Sequence, residues 1–309
     1  MSRRPARFVA LILLMFLIVN VPCAQDEKSR NMKHSLPIFK VDVDTVFLNV
    51  SVMDFWNRYI IGLEKEHFIV YEDKVVQTIS HFVQNKAPLS LGIVFDFSSS
   101  MEDDNRIREA KEAFRRLLDS GIPGDECLLI TFNQTVTLVK DFTDDSSSLP
   151  NDIALKKPDG NTALFDAVYM GLEEVRKGKN ERKALIIISD GENNRSRYTA
   201  VDVREFAAES DVQIYAIVQR GRLGYGLGVL QNITTLTGGR AFLPRYSEEL
   251  DYYIDLIHAE LRNQYVIGYV PSNKTHDGKW RNIVVRLLTP PGLTRLSIRT
   301  RRGYFAAKE

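Results

Sequence analysis

Cysteine is nearly absent, with two residues, Cys23 and Cys127, in a chain of 309. A disulfide framework is therefore excluded as the source of stability. Cys127 lies in the apolar run CLLITF and reads as a buried core thiol rather than a reactive one. Charge of one sign is also missing: 41 Lys and Arg face 40 Asp and Glu, so no global field draws the chain to nucleic acid or to an anionic membrane. The five histidines (His34, His67, His81, His258 and His276) are scattered, without H-E-x-x-H or another zinc spacing. There is no G-x-S-x-G elbow, no Cys with an evident His partner and no phosphate-binding lysine loop. The glycine-rich stretch 221–228 lacks that lysine and the G-x-G-x-x-G spacing, and reads as a turn. Catalytic constellations of the common kinds are thus absent, and the expectation is that the chain is not an enzyme.

Long hydrophobic runs are scarce too, with one notable exception. Arg3, Arg4 and Arg7 precede an apolar run over 8–21, the pattern of a secretory signal and short for a transmembrane helix. Cleavage after Cys23 or Ala24 is expected, which makes 1–24 a signal peptide and Cys127 the one remaining thiol. Lipidation at Cys23 is the lesser reading, because Asn20, Val21 and Pro22 lack the small residue usual before a lipidated Cys. An uncleaved or lipidated N-terminus is the sole membrane connection the sequence offers. The expected location is secreted, periplasmic or cell-envelope.

What is present has a clear order. Residues 25–36 are polar and form a linker. Residues 37–88 read as a small β unit: VFLNVSVMD alternates as a strand, 57–64 connects, and FIVYEDKVVQTISHFVQ gives two strands around Glu72, Asp73 and Lys74. From residue 89 to 262 strands alternate with helices, the mark of an α/β fold with a doubly wound, mostly parallel sheet. Its buried strands are LGIVFD, ECLLITF, KALIIIS and VQIYAIV. VTLVKDF reads as an antiparallel edge strand, and 144–159 as a polar surface loop. Ala167 and Gly171 make one helix small enough to lie close on the sheet. Thr199 and Asp202 form a capping box, and Ser247 reads as the cap of a last amphipathic helix through Leu250, Ile254, Ile257 and Leu261. Residues 263–309 return to β character and are expected to pair with 37–88, so that the α/β unit is inserted between two halves of one β domain.

Chemistry concentrates where apolar strands end. LGIVFDFSSSM runs without a break into Asp96, followed at alternate positions by Ser98 and Ser100. In open α/β sheets ligands bind at this carboxyl end of the strands. One carboxylate and two hydroxyls so close suit a hard cation with oxygen ligands, Mg²⁺ before Zn²⁺. Asp96-Phe97-Ser98-Ser99-Ser100 resembles the D-x-S-x-S signature of the von Willebrand factor type A domain, the first loop of its metal-ion-dependent adhesion site. That resemblance implies a threonine from a second loop and an aspartate from a third, matched here by Thr162 in DGNTALFDA and Asp190 in ALIIISDGENN. It implies a metal set of Asp96, Ser98, Ser100, Thr162 and Asp190 around Mg²⁺, with Mn²⁺ or Ca²⁺ as substitutes. The resemblance implies that the serines and, in one state, the threonine coordinate directly and that the aspartates act partly through water.

The order of units, with APLSLGIVFDFSSSM, TGGRAF, QYVIGYV and RRGYFA, looks like the bacterial secreted family of acidobacterial VWFA-related proteins. That resemblance implies location and architecture more than activity; the secretory pattern, the complete cation set and the lack of a catalytic constellation together lead to the expectation of a binding module that engages an Asp or Glu carboxylate of a protein partner through the cation. An envelope protein with a purely stabilising metal, or an unrecognised metal-dependent hydrolase, are the competing expectations. Around the five residues, Glu102, Asp103 and Asp104 read as helix-start acids, Asp166 as an orienting or capping group, and Glu192, Asn193 and Asn194 as lining the crevice.

Overall fold

The computed structural model describes residues 45–84, 87–119, 121–219 and 225–308. The segments read as signal and linker, with 37–44, lie outside these residues, as do residues 220–224 of the glycine-rich stretch.

In chain order the elements are β1 (Val46–Met53), β2 (Phe68–Glu72), β3 (Val75–Gln77), β4 (Ile79–Gln84), β5 (Leu89–Asp96), α1 (Asp104–Asp119), β6 (Glu126–Phe132), β7 (Val136–Thr143), α2 (Leu149–Ile153) and α3 (Leu164–Val175). They continue with β8 (Arg182–Ser189), α4 (Ala200–Glu209), β9 (Val212–Val218), α5 (Tyr225–Thr237), β10 (Ala241–Phe242), α6 (Ser247–Arg262), β11 (Tyr265–Tyr269), β12 (Trp280–Leu287), β13 (Ser297–Arg299) and β14 (Gly303–Phe305).

The central sheet has six strands in the order β10-β9-β8-β5-β6-β7, parallel except for the antiparallel edge strand β7. Period-two alternation sends the apolar strands to two separate cores. Leu91, Ile93 and Phe95 of β5, with Ile186, Ile188, Tyr215 and Ile217, meet α1 and α6 on one face. Val94, Leu185, Ile187, Ile214 and Ala216 meet α3, α4 and α5 on the other. This is the doubly wound architecture, and it explains why these strands carry no polar face. α3 lies close on the sheet through Gly171, where a Cβ would stand 2.8 Å from Val94 Cγ2 and 3.0 Å from Leu185 Cδ1.

The β unit is built from both ends of the chain. Two four-stranded sheets, β13-β1-β11-β4 and β14-β12-β2-β3, enclose a third core of Leu48, Val50, Phe68, Val70, Tyr265, Ile267 and Ile283. β1 pairs antiparallel with β11 from Val46↔Tyr269 to Val50↔Tyr265, and β2 with β12 from Phe68↔Leu287 to Glu72↔Ile283. Buried Glu72 accepts hydrogen bonds from Tyr269 Oη (2.7 Å) and Tyr304 Oη (3.0 Å). A buried polar seam joins the β unit to the α/β unit. There Glu260 of α6 accepts from Ser51 Oγ at 3.1 Å and Tyr59 Oη at 3.2 Å, and pairs with Arg299 at 3.2 Å. Gln264 Nε2 donates to Ser51 Oγ at 3.3 Å and to Gln213 Oε1 at 2.8 Å.

Four local readings change. After the turn at Asp73 and Lys74, both at positive φ, the chain makes two short strands instead of one, because β3 stays with β2 while β4 crosses to β11. Residues 144–159 are not simply a surface loop: α2 buries Leu149 and Ile153 in the α1-side core, one turn apart. Residues 225–228 belong to α5 rather than to a turn, and α5 holds Leu230 and Ile233 against the sheet. α6 begins at Ser247 with Tyr246 at the cap position and no side-chain cap bond.

Candidate metal centre

The parallel register brings the ends of β5 and β8 side by side, since Phe95 pairs with Ile188. Asp96 closes β5 and Asp190 follows β8, so both carboxylates emerge at one sheet edge, and both are fully buried. Phe97 N–H donates to Phe132 O at 2.7 Å, which turns the chain across β6. Ser98 then donates from its N–H (2.8 Å) and its Oγ (2.6 Å) to Asp96 Oδ1, the local turn that aspartates favour. Ser98 Oγ and Ser100 Oγ are 3.0 Å apart, so the first loop presents linked oxygens. Asp96 Oδ2 accepts from Ser189 Oγ at 2.6 Å, a contact that the sequence reading missed. Parallel pairing of the two strand ends was the signal for it.

Backbone hydrogen bonds tie three loops into one platform. Ser99 N–H donates to Gly160 O (2.9 Å), Asp159 N–H to Phe97 O (2.8 Å) and Ala163 N–H to Asn133 O (2.7 Å). Thr162, 1% exposed, donates its N–H to Asn194 Oδ1 at 2.9 Å, and its carbonyl accepts from the N–H groups of Asn194 and Arg195, each at 3.0 Å. Asn194 is therefore a clamp between the second and third loops. Asn193 Oδ1 accepts from Phe165 N–H at 3.3 Å and also holds the start of α3. Asp166 accepts from the N–H groups of Arg197 (2.7 Å) and Tyr198 (2.9 Å), so it orients the third loop from behind. Asp103 accepts from Asn105 N–H at 3.0 Å, a helix-start contact, and Glu102 is exposed.

Gly191, at φ +79°, turns the third loop directly after Asp190. A Cβ on Gly226 would stand 2.4 Å from Gly191 O, so α5 can approach this loop only with glycine there.

The electrostatics favour a cation. Burial pushes the Asp96 carboxyl up to about 7, and the charge of Asp190 adds to it, against the hydrogen bonds from Ser189 and Ser98. Asp190 Oδ1 accepts from Glu192 N–H at 3.0 Å, whereas Asp190 Oδ2 is buried with no hydrogen-bond partner. A buried carboxylate oxygen left in that state is costly unless a positive charge faces it. The donor set is all oxygen, and among the described residues no three His, Cys, Asp or Glu side chains gather as a soft-metal site would need. These residues fit a hard divalent cation. Arg106, which the sequence did not single out, also reaches this place: its Nη1 donates to Ser100 O and lies 3.8 Å from Asp190 Oδ2. A cavity of about 900 Å³ lies elsewhere, by Leu89 at the opposite end of β5, lined also by Asp125, His258 and Arg262.

Comparison with known proteins agrees with this fold. The family description of the von Willebrand factor type A domain matches residues 91–192, which contain all five of these side chains. The uncharacterized protein sll0103 of Synechocystis sp. is 29% identical over 111 residues, 35% of this chain and 26% of that protein. The chain thus spans about a quarter of the length of that curated relative. Among solved structures, a von Willebrand factor type A protein from Catenulispora acidiphila is similar with a TM-score of 0.52 and 11% identity, over 84% of this chain and 73% of that chain. The corresponding domain of the type V pili tip protein Mfa5 from Porphyromonas gingivalis is similar with a TM-score of 0.46 and 15% identity, over 59% of this chain and 98% of that chain. With its parallel sheet and the match to residues 91–192, the chain contains a von Willebrand factor type A domain.

Proposed function

We propose that the chain is a cation-dependent binding module of the cell envelope or extracellular space, and not an enzyme. Ser98, Ser100 and Thr162 would offer neutral oxygens to Mg²⁺, while Asp96 and Asp190 balance its charge, partly through water. Five side chains acting in this way leave room in a shell of six for one oxygen from outside. The bound ion would supply an electrophilic position for an Asp or Glu carboxylate of a protein partner. The buried walls around Asp96 and Asp190 would strengthen that contact relative to water.

The observation that carries the reading is the pair of buried carboxylates, Asp96 and Asp190, at one sheet edge, with Asp190 Oδ2 making no hydrogen bond and meeting positive charge only at 3.8 Å, from Arg106. A protein with no use for a cation would have little reason to keep both. The location rests on the basic and apolar pattern before residue 24.

A crosslinking pull-down from an envelope fraction tests the proposal, with Mg²⁺ or chelator and with wild type, Asp96→Ala or Thr162→Ala as bait. Partners are expected with wild type in Mg²⁺ alone. Partners retained equally in every arm would refute cation-dependent binding and leave a stabilising role for the site.

A further inference from the structure

Arg106 stands where a helix should repel it. It lies in the first turn of α1, whose amino-terminal end carries the positive pole of the helix dipole. Its guanidinium nevertheless folds back over that end, donates to Ser100 O and approaches Asp190 Oδ2, which makes no hydrogen bond, to 3.8 Å. That distance is too long for a hydrogen bond, so the contact is one of charge with charge. The Arg106 side chain is 22% exposed and that of Asp190 is fully buried, so water reaches the arginine and not the aspartate.

On the proposed cation-site reading, we infer that Arg106 is a built-in competitor for the cation, an internal positive charge that holds Asp190 when no divalent ion does. Its anchor is the carbonyl of Ser100, the residue whose hydroxyl would be a ligand. A divalent ion in the crevice and a guanidinium facing the same carboxylate repel each other over a few ångströms, and at a partly exposed site that repulsion is only partly screened. Arg106 therefore sets cation affinity below what the five oxygens alone would give, and it withdraws when the ion enters. The withdrawn guanidinium stays beside the open coordination position. An acidic partner residue would meet two positive charges there, so cation and partner should reinforce each other's binding.

Mg²⁺ titrations of the chain from residue 25 to 309, read by thermal shift and calorimetry, test this directly. Arg106→Gln is expected to reach half-saturation at about tenfold lower Mg²⁺ than wild type, as loss of one unit charge near a divalent ion implies. Arg106→Lys keeps the charge and should stay near wild type, while Asp96→Ala should show no response. Equal or weaker Mg²⁺ affinity in Arg106→Gln would overturn the inference and leave Arg106 as a positioning residue for Ser100. No response in either wild type or Arg106→Gln would overturn the cation reading itself, and this inference with it.

Discussion

Replacing Glu260 tests how firmly the β unit is fastened to the α/β unit. The carboxylate is fully buried and is held by Ser51, Tyr59 and Arg299, two of which come from β1 and β13 at opposite ends of the chain. Truncating one member of a buried ion pair costs about 3–5 kcal/mol, because its partner is left behind without compensation. Here the cost is reduced on two counts. The Arg299 side chain is 25% exposed and recovers some hydration, and Tyr59 Oη keeps Leu256 O as an acceptor at 3.2 Å. Glu260→Ala should therefore destabilise by about 2–4 kcal/mol. Urea melts followed by circular dichroism are the assay.

The pH dependence follows from the direction of the shift. Burial raises the Glu260 carboxyl above its ordinary 4.5, although Arg299 and Arg240 pull it back. The folded chain thus holds this proton more tightly than the unfolded chain does. The resulting stability is present in full below 4.5 and is lost as pH rises through the folded value. Glu260→Gln mimics the protonated form, so its difference from wild type should shift in favour of the variant as pH rises from 4.5. An alanine variant within about 0.5 kcal/mol of wild type would refute the argument, since that is the range of an unimportant surface change.

Three further outcomes are expected. Wild-type protein should melt at higher temperature in millimolar Mg²⁺ or Mn²⁺ than in chelator, by about 2.7 kcal/mol of stabilisation at a hundredfold excess over Kd, and Asp96→Ala should lose that gain; an equal gain in the variant would place the ion elsewhere. Gly171→Val drives side-chain atoms into Val94 and Leu185, where a Cβ alone would already stand 2.8 Å from Val94 Cγ2, and should cost about 1–3 kcal/mol by denaturation; a neutral result would mean that α3 can lift from the sheet at no cost. Cys127, whose thiol is pushed up to about 12 by burial and then by the charge of Asp125, should resist a thiol reagent at pH 8 until the protein is unfolded.

The fold class was legible because the central strands are apolar on both faces, as LGIVFD and KALIIIS are, and few other structures bury such runs. The β unit was legible from alternation at both ends of the chain, though alternation cannot tell which strand a segment pairs with. That is why β3 and β4 read as one strand. α5 escaped notice because Gly226 and Gly228 disfavour a helix. Tight packing of Gly226 against Gly191 overrides that propensity, and it is visible only in three dimensions. α2 was missed because Leu149 and Ile153 are two apolar residues in a polar stretch, too few to show a period. At the candidate site Asp96, Ser98, Ser100 and Asp190 announced themselves by following strands, whereas Thr162 entered through the family resemblance alone. Ser189 and Arg106 did not, since one reads as the end of a strand and the other as an ordinary helix charge. The Asn194 clamp needed the pairing of two loops that are remote in sequence.

The pairing of both chain ends in one β unit has a consequence for the order in which the protein can form. As the chain emerges amino-terminus first, β1 and β4 have no partner of their own, because both pair with β11. Only β2 and β3 can close locally, through the turn at Asp73 and Lys74. The α/β unit between them must bring its ends together before β11 can slide in as the middle strand, and closing so long a loop from an unstructured chain is entropically unfavourable. Folding of the α/β unit removes most of that cost by placing the end of α6 beside the start of β5, where Arg182 Nη1 also donates to Ala87 O at 3.1 Å. Until then β1 exposes an apolar strand edge to its surroundings, the state in which a chain is most prone to pair with the wrong partner.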